Sequence, residues 1–355
     1  MSVRKSQIPV VVLTGFLGSG KTTLLNHLLR HNGGNRIGVV VNDFGSIEID
    51  AMTVAGQVGS AVSLGNGCLC CAVDSSELDE YLDRLTSPGA RIDVIVIEAS
   101  GLAEPQELVR MILAGDNPRV VYGGLVEVVD AAEFDETRAR HPEIDRHLAI
   151  ADLVVLNKAD RVAEAELDRI RGQLADLSAG TPVVPARYGR VDPEFLFDHA
   201  ARPERDTGTR QLSFEDLYEG ERDHADHLHA AYESIDFTTP EPMDPRRLMT
   251  FLDSRPEGLY RIKGFVDFGA ADPGNRYAVH AVGRFLRFYP EPWPRDGQRL
   301  TQLVLIGSGV DRVKLRAELD ECRTASPQGA PDEHSMWGVL RYVPRGGDEP
   351  DPGAF

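Results

Sequence analysis

Short runs of apolar residues alternate with amphipathic stretches along the first half of the chain. The runs are IPVVVL (8–13), RIGVVV (36–41), IDVIVIE (92–98), VVYGGLVEVV (120–129), ADLVVL (151–156) and TPVV (181–184). Continuous Val, Ile and Leu runs of this length are typical of strands that are buried on both faces, as in a parallel sheet. The stretches with helical spacing lie at 21–31, 76–85, 104–113 and 163–177. This order predicts a doubly wound, mostly parallel α/β domain whose ligand site lies at the carboxyl ends of the strands.

The pattern changes in the second half of the chain. A polar, charged segment precedes a strand at 231–237 and a helix at 244–253. Further strand-like runs are LYRIKGFVDF, RYAVHAVG, RFLRFYP and TQLVLIG, and a last helix is expected at 311–321. These elements predict a smaller α+β domain around a mostly antiparallel sheet. The predicted division is an α/β domain at 1–204, a connector at 205–229, a C-terminal domain at 230–325 and a tail at 326–355.

Composition limits the partners of the chain. Its 355 residues carry a net charge of −18. Such acidity opposes tight binding to nucleic acid and to anionic membranes, because both need a basic surface. No apolar stretch at the N-terminus is long enough for a signal peptide or a membrane helix, and four cysteines do not make a disulfide framework. The expected location is therefore the cytoplasm.

A phosphate-binding motif follows the first predicted strand. The segment GFLGSGKT (15–22) fits the pattern G-x-x-x-x-G-K-[ST], and it stands between a buried strand and a helix. The loop residues expected to surround the phosphates are Gly15, Gly18, Ser19 and Gly20. Lys21 is expected to reach the β- and γ-phosphates, Thr22 to ligate Mg²⁺ and Thr23 to lie near the α-phosphate. The alternative is a glycine turn before a helix with no ligand.

A second motif predicts the base. Asn157, Lys158 and Asp160 belong to the segment NKAD, directly after the strand LVVL. A carboxylate at Asp160 can accept hydrogen bonds from both N1–H and the 2-amino group of guanine, which adenine lacks. On a late strand of a P-loop domain the motif therefore favours GTP over ATP. The alternative is a helix cap.

Two carboxylates end strands that precede the base motif. Glu98 ends IDVIVIE, and Asp43 follows the second predicted strand. Either acid can hold Mg²⁺, directly or through water, or orient the water that attacks the γ-phosphate. Gly101 is placed to sense the γ-phosphate through its N–H. For each acid the alternative is a helix cap or a turn residue.

Three cysteines stand close together between these two acids. Cys68, Cys70 and Cys71 lie in GNGCLCC (65–71). Thiolates are soft ligands that suit Zn²⁺ and related ions, and three protein ligands leave one position open for transfer. The alternatives are small buried side chains or a redox pair, although a disulfide between such close neighbours is strained. Cys322 stands apart on a predicted helix, where we expect it in the core.

Together these segments resemble the CobW-like metallochaperones, P-loop GTPases related to the urease and hydrogenase maturation proteins. The matching segments are GFLGSGKTT, VNDFG, GNGCLCC, IEASGLAEP, NKAD and, near the C-terminus, RIKGFVDF, AVGRFLRFYP and TQLVLIGSGVDRVKLRAEL. The resemblance covers about residues 8–322. It implies a GTP-dependent metal chaperone or insertase that uses GTP, Mg²⁺ and Zn²⁺ or Co²⁺. Its partner would be a client metalloprotein, with GTP and metal binding coupled.

The sequence departs from the family pattern in two places. Asp43 stands where many relatives have Glu, so the role inherited by this residue stays open. The connector carries only a modest cluster of metal-binding residue types, which are Asp223, His224, Asp226, His227 and His229. A solvated acidic linker is the alternative to a metal-gathering segment.

Two other functions are compatible with the motifs. One is a regulatory G protein whose cysteines are structural or redox-active and which delivers no metal. The other is a kinase that transfers the γ-phosphate to a small molecule, for which no acceptor pocket is identified. A homodimer also stays open.

Overall fold

The computed structural model describes residues 7–32, 34–41, 61–63, 75–87, 89–100, 104–197, 233–254, 256–294, 298–324 and 334–344. The chain divides into two compact units, Met1–Tyr232 and Glu233–Phe355. Residues 205–229, assigned to the connector, lie outside the described residues. The four-part division therefore stays a prediction.

The first unit is built on a parallel sheet. Its strands are β1 (Ile8–Thr14), β2 (Ile37–Val41), β3 (Ala61–Ser63), β4 (Val94–Glu98), β5 (Val120–Asp130), β6 (Leu153–Asn157) and β7 (Val183–Pro185). Its helices are α1 (Lys21–Arg30), α2 (Ser75–Leu85), α3 (Pro105–Ala114), α4 (Phe134–Arg140), α5 (Ile144–Ile150), α6 (Glu164–Leu177) and α7 (Pro193–Leu196). The strand order is β3-β2-β4-β1-β5-β6-β7, and every pairing is parallel. The predicted doubly wound α/β fold is confirmed.

Burial explains why these strands appear in the sequence as continuous apolar runs. All five residues of β2, of β4 and of β6 are buried. A strand that is covered on both faces has no polar face, so it appears in the sequence as a continuous apolar run. The short strand β3 and the helices α4, α5 and α7 were not among the predicted elements. The helices α4 and α5 have only seven residues each and α7 has four, too few for a periodic pattern to stand out.

The strand register brings several polar residues to one edge of this sheet. Leu13 on β1 pairs with Glu98 on β4, and Thr14 pairs with Glu127 on β5. On the other side of β5, Asp130 pairs with Asn157 on β6. Because parallel strands end at the same edge, the first motif, the carboxylate of β4 and the second motif share the carboxyl edge of the sheet.

The second unit is an α+β domain with an antiparallel sheet, as predicted. Its strands are β8 (Glu233–Thr239), β9 (Leu259–Val266), β10 (Asn275–Val282), β11 (Phe285–Pro292) and β12 (Thr301–Gly307), in the order β11-β10-β9-β12-β8. Its helices are α8 (Pro245–Asp253), α9 (Arg312–Glu321) and α10 (Trp337–Leu340). All of the strand pairings are antiparallel.

The core of this unit includes two features near the C-terminus. Cys322 caps the end of α9 and is buried in the core, which confirms the expectation for this cysteine. Part of the segment assigned to the tail also packs on the core through Met336 and Val339. The N–H of Phe288 on β11 donates to the carbonyl of Tyr342 at 3.0 Å, which ties this segment to the sheet.

In the part of the chain that the structure describes, no helix has both the length and the apolar character that spanning a bilayer requires.

Candidate nucleotide site

The loop between β1 and α1 has backbone angles that only glycine adopts readily. Gly15, Gly18 and Gly20 have φ values of 139°, 78° and 102°. A Cβ atom on Gly15 would lie 2.2 Å from the carbonyl oxygen of Val128, and one on Gly20 would lie 2.3 Å from Nδ2 of Asn157. Gly15 and Gly20 are therefore required both by conformation and by close approach to β5 and β6, and Gly18 by conformation alone.

The first turn of α1 is suited to an anion. Among the described residues, no side chain caps this helix and no acid stands in its first turn. The backbone N–H groups at the start of a helix lack partners within the helix, and they carry part of its positive dipole. Thr23 lies exposed in this turn. A phosphate group can thus bind here through backbone N–H groups.

Lys21 contacts its own loop in this structure. Its ammonium donates to the carbonyl of Gly15 at 2.8 Å and to that of Phe16 at 3.3 Å. The residue is 8% exposed. A compact cation held against a glycine loop can stabilise the charge on the β- and γ-phosphates, once it leaves these carbonyls.

Thr22 and Glu98 meet at the carboxyl edge of the sheet. The hydroxyl of Thr22 donates to Oε1 of Glu98 at 2.7 Å, and Glu98 is 5% exposed. Hydroxyl and carboxylate oxygens are hard donors of the type that Mg²⁺ prefers, so this pair fits the ion. Both residues were singled out in the sequence, and the structure brings them together.

Asn157 holds two loops rather than standing open to a ligand. Its side chain is buried, and its Nδ2 donates to the carbonyl of Ser19 at 2.9 Å. Its Oδ1 accepts from the N–H of Gly189, also at 2.9 Å. Asn157 therefore links the phosphate loop to the segment after β7, at the centre of the site. Gly189 carried no signal in the sequence, because its role depends on a contact between distant segments.

The other two residues of the base motif differ in exposure. Lys158 has a positive φ of 57° and forms an ion pair with Asp130 at 2.6 Å. Asp160 lies exposed in a 3-10 turn at Ala159–Arg161. An exposed carboxylate on this turn is accessible to the edge of a base. Asp130 was missed in the sequence, although its position at the end of an apolar run was a signal.

Glu127 is a second acid that the sequence analysis passed over. It is 2% exposed. Burial raises the pKa of Glu127 to about 8, and the nearby charge of Lys21 opposes this rise. Its signal was the single charge inside the apolar run VVYGGLVEVV.

A cavity of about 360 Å³ lies beside the phosphate loop. Its lining combines loop residues with the end of β5, the start of α4 and the segment after β6, and it includes Phe16, Gly18, Glu127, Phe134, Lys158 and Arg161. The ring of Phe16 also stacks on His141, with centroids 4.3 Å apart. The cavity is large enough for part of a small ligand next to the phosphate site.

Several residues of the sequence analysis lie outside the described residues. They are Asp43, Cys68, Cys70, Cys71, Gly101, Asp223, His224, Asp226, His227 and His229. Within the described ranges, no group of three or more His, Cys, Asp or Glu side chains could hold a metal ion. The thiolate site therefore stays a prediction. Cys68 follows β3 in the sequence, and β3 ends at the carboxyl edge described above.

Family models and relatives agree with this architecture. The model "CobW/HypB/UreG, nucleotide-binding domain" matches residues 9–185, and the model "Cobalamin synthesis protein cobW C-terminal domain" matches residues 232–323. The Pseudomonas aeruginosa protein named "Zinc chaperone CobW" is 33% identical over 88% of this chain and 91% of its own length. A Sinorhizobium protein of the same name is 30% identical over 89% of this chain and 97% of its own.

A third relative extends the same picture. The Escherichia coli protein named "Zinc chaperone YjiA" is 28% identical over 87% of this chain and 97% of its own length. The matches thus span both structural units rather than the phosphate motif alone. The chain belongs to the CobW/HypB/UreG family of P-loop GTPases.

Proposed function

We propose that this chain is a GTP-hydrolysing metal chaperone. It would bind Zn²⁺ or Co²⁺ through Cys68, Cys70 and Cys71 and deliver the ion to a client metalloprotein. The relatives named above as zinc chaperones support zinc as the first metal to test. Three reduced thiols within four residues suit the cytoplasm, which we propose as the location.

The observation that carries this proposal is the shared edge of the sheet. The bond between Thr22 and Glu98 lies at the carboxyl ends of β1 and β4. β3 ends at the same edge, and in the sheet β2 lies between β3 and β4. The cysteine segment begins just after β3 in the sequence. A change at the γ-phosphate can therefore reach the cysteine segment through a short length of chain.

Hydrolysis uses the residues of this edge. Water attacks the γ-phosphorus, a P–O bond forms to that water, and the bond to the bridging oxygen of GDP breaks. Lys21 would stabilise the charge that moves onto the bridging oxygen. Glu98 would orient either the attacking water or the water molecules bound to Mg²⁺. Mg²⁺ when bound neutralises phosphate charge, and Thr22 and Glu98 are the described residues that would hold it.

The affinity for the cargo metal would depend on which nucleotide is bound. If GTP and the ion tighten each other's binding, the same factor must apply in both directions, typically equivalent to about 1 to 3 kcal/mol. Loss of the γ-phosphate would then weaken the thiolate site. Its open coordination position would let a client ligand bind before the chaperone sulfurs leave.

The test measures zinc and cobalt affinity by competition with a chromophoric chelator. The protein is studied without nucleotide, with Mg·GDP, and with Mg and a non-hydrolysable GTP analogue. We expect about 5- to 150-fold tighter metal binding with the GTP analogue than with GDP. Equal affinities in all states would remove the switch and favour a regulatory G protein.

Two variants separate the parts of this proposal. Replacing Cys68, Cys70 and Cys71 by Ser should abolish tight metal binding while GTP still binds. Lys21→Ala should weaken GTP binding by roughly ten- to a hundredfold, because a charge-assisted hydrogen bond is lost. Tight zinc binding by the triple Ser variant would contradict the assignment of the metal site to the cysteines. Unchanged GTP hydrolysis by Lys21→Ala would contradict the assignment of the phosphate site.

A further inference from the structure

Glu127 is a buried acid on β5, close to the phosphate loop. It pairs with Thr14, the last residue of β1 before the loop begins. The loop then passes so close to β5 that a Cβ on Gly15 would touch the carbonyl of Val128, the neighbour of Glu127. Glu127 also lines the cavity beside the loop. A change in the charge of this buried carboxyl would therefore act on the loop at short range.

This carboxyl is incompletely satisfied. Its Oε2 atom is buried and makes no hydrogen bond within the part of the chain that the structure describes. An ionised carboxylate in such a place is costly unless a cation compensates it. Lys21 is the cation whose charge acts on Glu127.

The other charged groups around the cavity are already engaged or exposed. Asp130 is paired with Lys158. Glu133 is exposed at the start of α4, and Arg161 stands at the end of the 3-10 turn. None of these groups is among the causes that shift the pKa of Glu127. The electrostatic balance of Glu127 therefore depends on Lys21.

Nucleotide binding changes that balance. The phosphates bring negative charge to the loop and draw the ammonium of Lys21 toward themselves. An ionised Glu127 then loses its compensating charge and faces additional anions across the loop. A protonated Glu127 suffers neither loss, because it is neutral.

We propose that Glu127 competes with the nucleotide phosphates for the charge of Lys21, so that the loop binds GTP most tightly when the Glu127 carboxyl carries a proton. This inference rests on the proposed nucleotide site. Binding of nucleotide would then draw a proton from solvent onto Glu127 whenever the carboxyl is ionised beforehand. The acid would act as a positioning residue that sets affinity through Lys21, without touching the substrate.

The sign of the pH dependence follows from the raised pKa. Since Glu127 titrates near pH 8 without nucleotide, it is mostly protonated below that pH and imposes little penalty there. Above it, each further unit of pH ionises the acid more completely, and binding must reverse this. GTP affinity should therefore fall as pH rises, by up to roughly tenfold per pH unit.

The experiment measures the Kd of Mg·GDP and of a Mg-bound GTP analogue by calorimetry between about pH 7 and about pH 9.5. Wild type is compared with Glu127→Gln, which mimics the neutral acid at nearly constant shape. Glu133→Gln is the matched control, since it removes an exposed acid from the same cavity wall. We expect a falling affinity for wild type and for Glu133→Gln, and a flat profile for Glu127→Gln.

A second measurement counts the protons that are exchanged when the nucleotide binds. Calorimetry of wild type in buffers of different ionisation enthalpy counts the protons exchanged on binding. Above pH 8 we expect an uptake approaching about one proton, with the cysteines and all other groups contributing equally to wild type and variant. Glu127→Gln should lack this uptake. Its thermal unfolding above pH 8 should occur at no lower temperature than that of wild type, because the penalty for ionising a buried acid is gone.

The outcomes are distinct. If wild type and Glu127→Gln share one pH slope and one proton count, the inference is overturned although the nucleotide site stands. If neither protein binds GTP at any pH, the proposed nucleotide site fails and this inference fails with it. A flat profile for the variant, beside a steep one for wild type, supports the competition.

Discussion

The Thr22 hydroxyl donates a hydrogen bond to the Glu98 carboxylate at 2.7 Å, and this bond joins the first turn of α1 to the end of β4. The two residues are 76 positions apart in the chain. They meet because β4 lies next to β1 in the sheet, with Glu98 opposite the residue that precedes Thr14. A phosphate loop and a carboxylate on the neighbouring strand thus supply hard oxygen donors to one point.

Glu98→Gln should lower GTP hydrolysis more than GTP binding. The amide can still accept the hydrogen bond from Thr22, so the loop should keep its shape. The negative charge that we propose to hold Mg²⁺ or to orient water is lost, and we expect kcat to fall by about ten- to a hundredfold. Steady-state hydrolysis and nucleotide titration together measure this difference.

Glu107→Gln is the control for this change. Glu107 lies on α3, is 53% exposed at its side chain, and pairs with Arg110 on the surface. An exposed ion pair of this kind contributes little to the free energy of unfolding. Hydrolysis by Glu107→Gln should match that of wild type. If Glu98→Gln also matched wild type, Glu98 would have no part in the reaction.

The sequence predicted both partners of this bond but not the bond itself. Thr22 was identified by a motif, and Glu98 by its place at the end of a strand. Their contact depends on which strands are neighbours, and the order of the strands in a sheet is not encoded in local periodicity. The same reason hid the bond between Asn157 and Gly189, which joins segments that no pattern connects.

Strand limits, by contrast, were predicted closely. The run VVYGGLVEVV became β5 with one further residue, because burial on both faces gives a signal that is local in sequence. The same run concealed Glu127. A charge inside a buried strand breaks the pattern, and its role could be interpreted only once the structure showed that the charge of Lys21 acts on it.

Asp160→Asn should change the base specificity. The exposed carboxylate on the 3-10 turn can accept two hydrogen bonds from guanine. An amide accepts only with its oxygen, and its NH₂ group can donate to the C2 carbonyl of xanthine. We expect GTP affinity to fall by at least tenfold while xanthosine triphosphate becomes the better ligand. Competition between the two nucleotides measures this, and unchanged GTP affinity would contradict the role of Asp160 at the base.

Gly264→Ala should destabilise the second unit. Gly264 lies within β9 with a φ of +136°, and a Cβ there would lie 1.9 Å from the carbonyl oxygen of Gln302 on β12. The clash involves backbone, so it cannot be relieved by turning a side chain. We expect a loss of about 3 kcal/mol or more in the free energy of unfolding, measured by denaturant titration.

Gly309→Ala provides the comparison. Gly309 also has a positive φ, of +70°, but nothing lies within 4 Å of its notional Cβ. Only backbone strain is then added, which amounts to about 1 kcal/mol. Equal losses for the two variants would mean that the contact between β9 and β12 is looser than the structure indicates.

Asn157→Asp should destabilise the phosphate loop to an extent that depends on pH. The N–H of Gly189 requires an acceptor, which fixes Oδ1 on that side and leaves Nδ2 to donate to the carbonyl of Ser19. An ionised Asp keeps the first bond but turns a second acceptor toward Ser19. Burial and this repulsion should raise the pKa of the new carboxyl above its usual range.

The protonated form of that carboxyl can donate to Ser19 and restore the missing bond. Because the folded-state pKa is raised, the variant should approach wild-type stability below the unfolded pKa of about 4 and lose it as pH rises through the folded value. Asn157→Ala, which lacks both bonds, should be destabilised by about 2 to 5 kcal/mol at every pH. Unfolding free energies and GDP affinities of both variants across acidic to neutral pH test this. A deficit in Asn157→Asp that does not change with pH would show that the bond to Ser19 does not hold the loop.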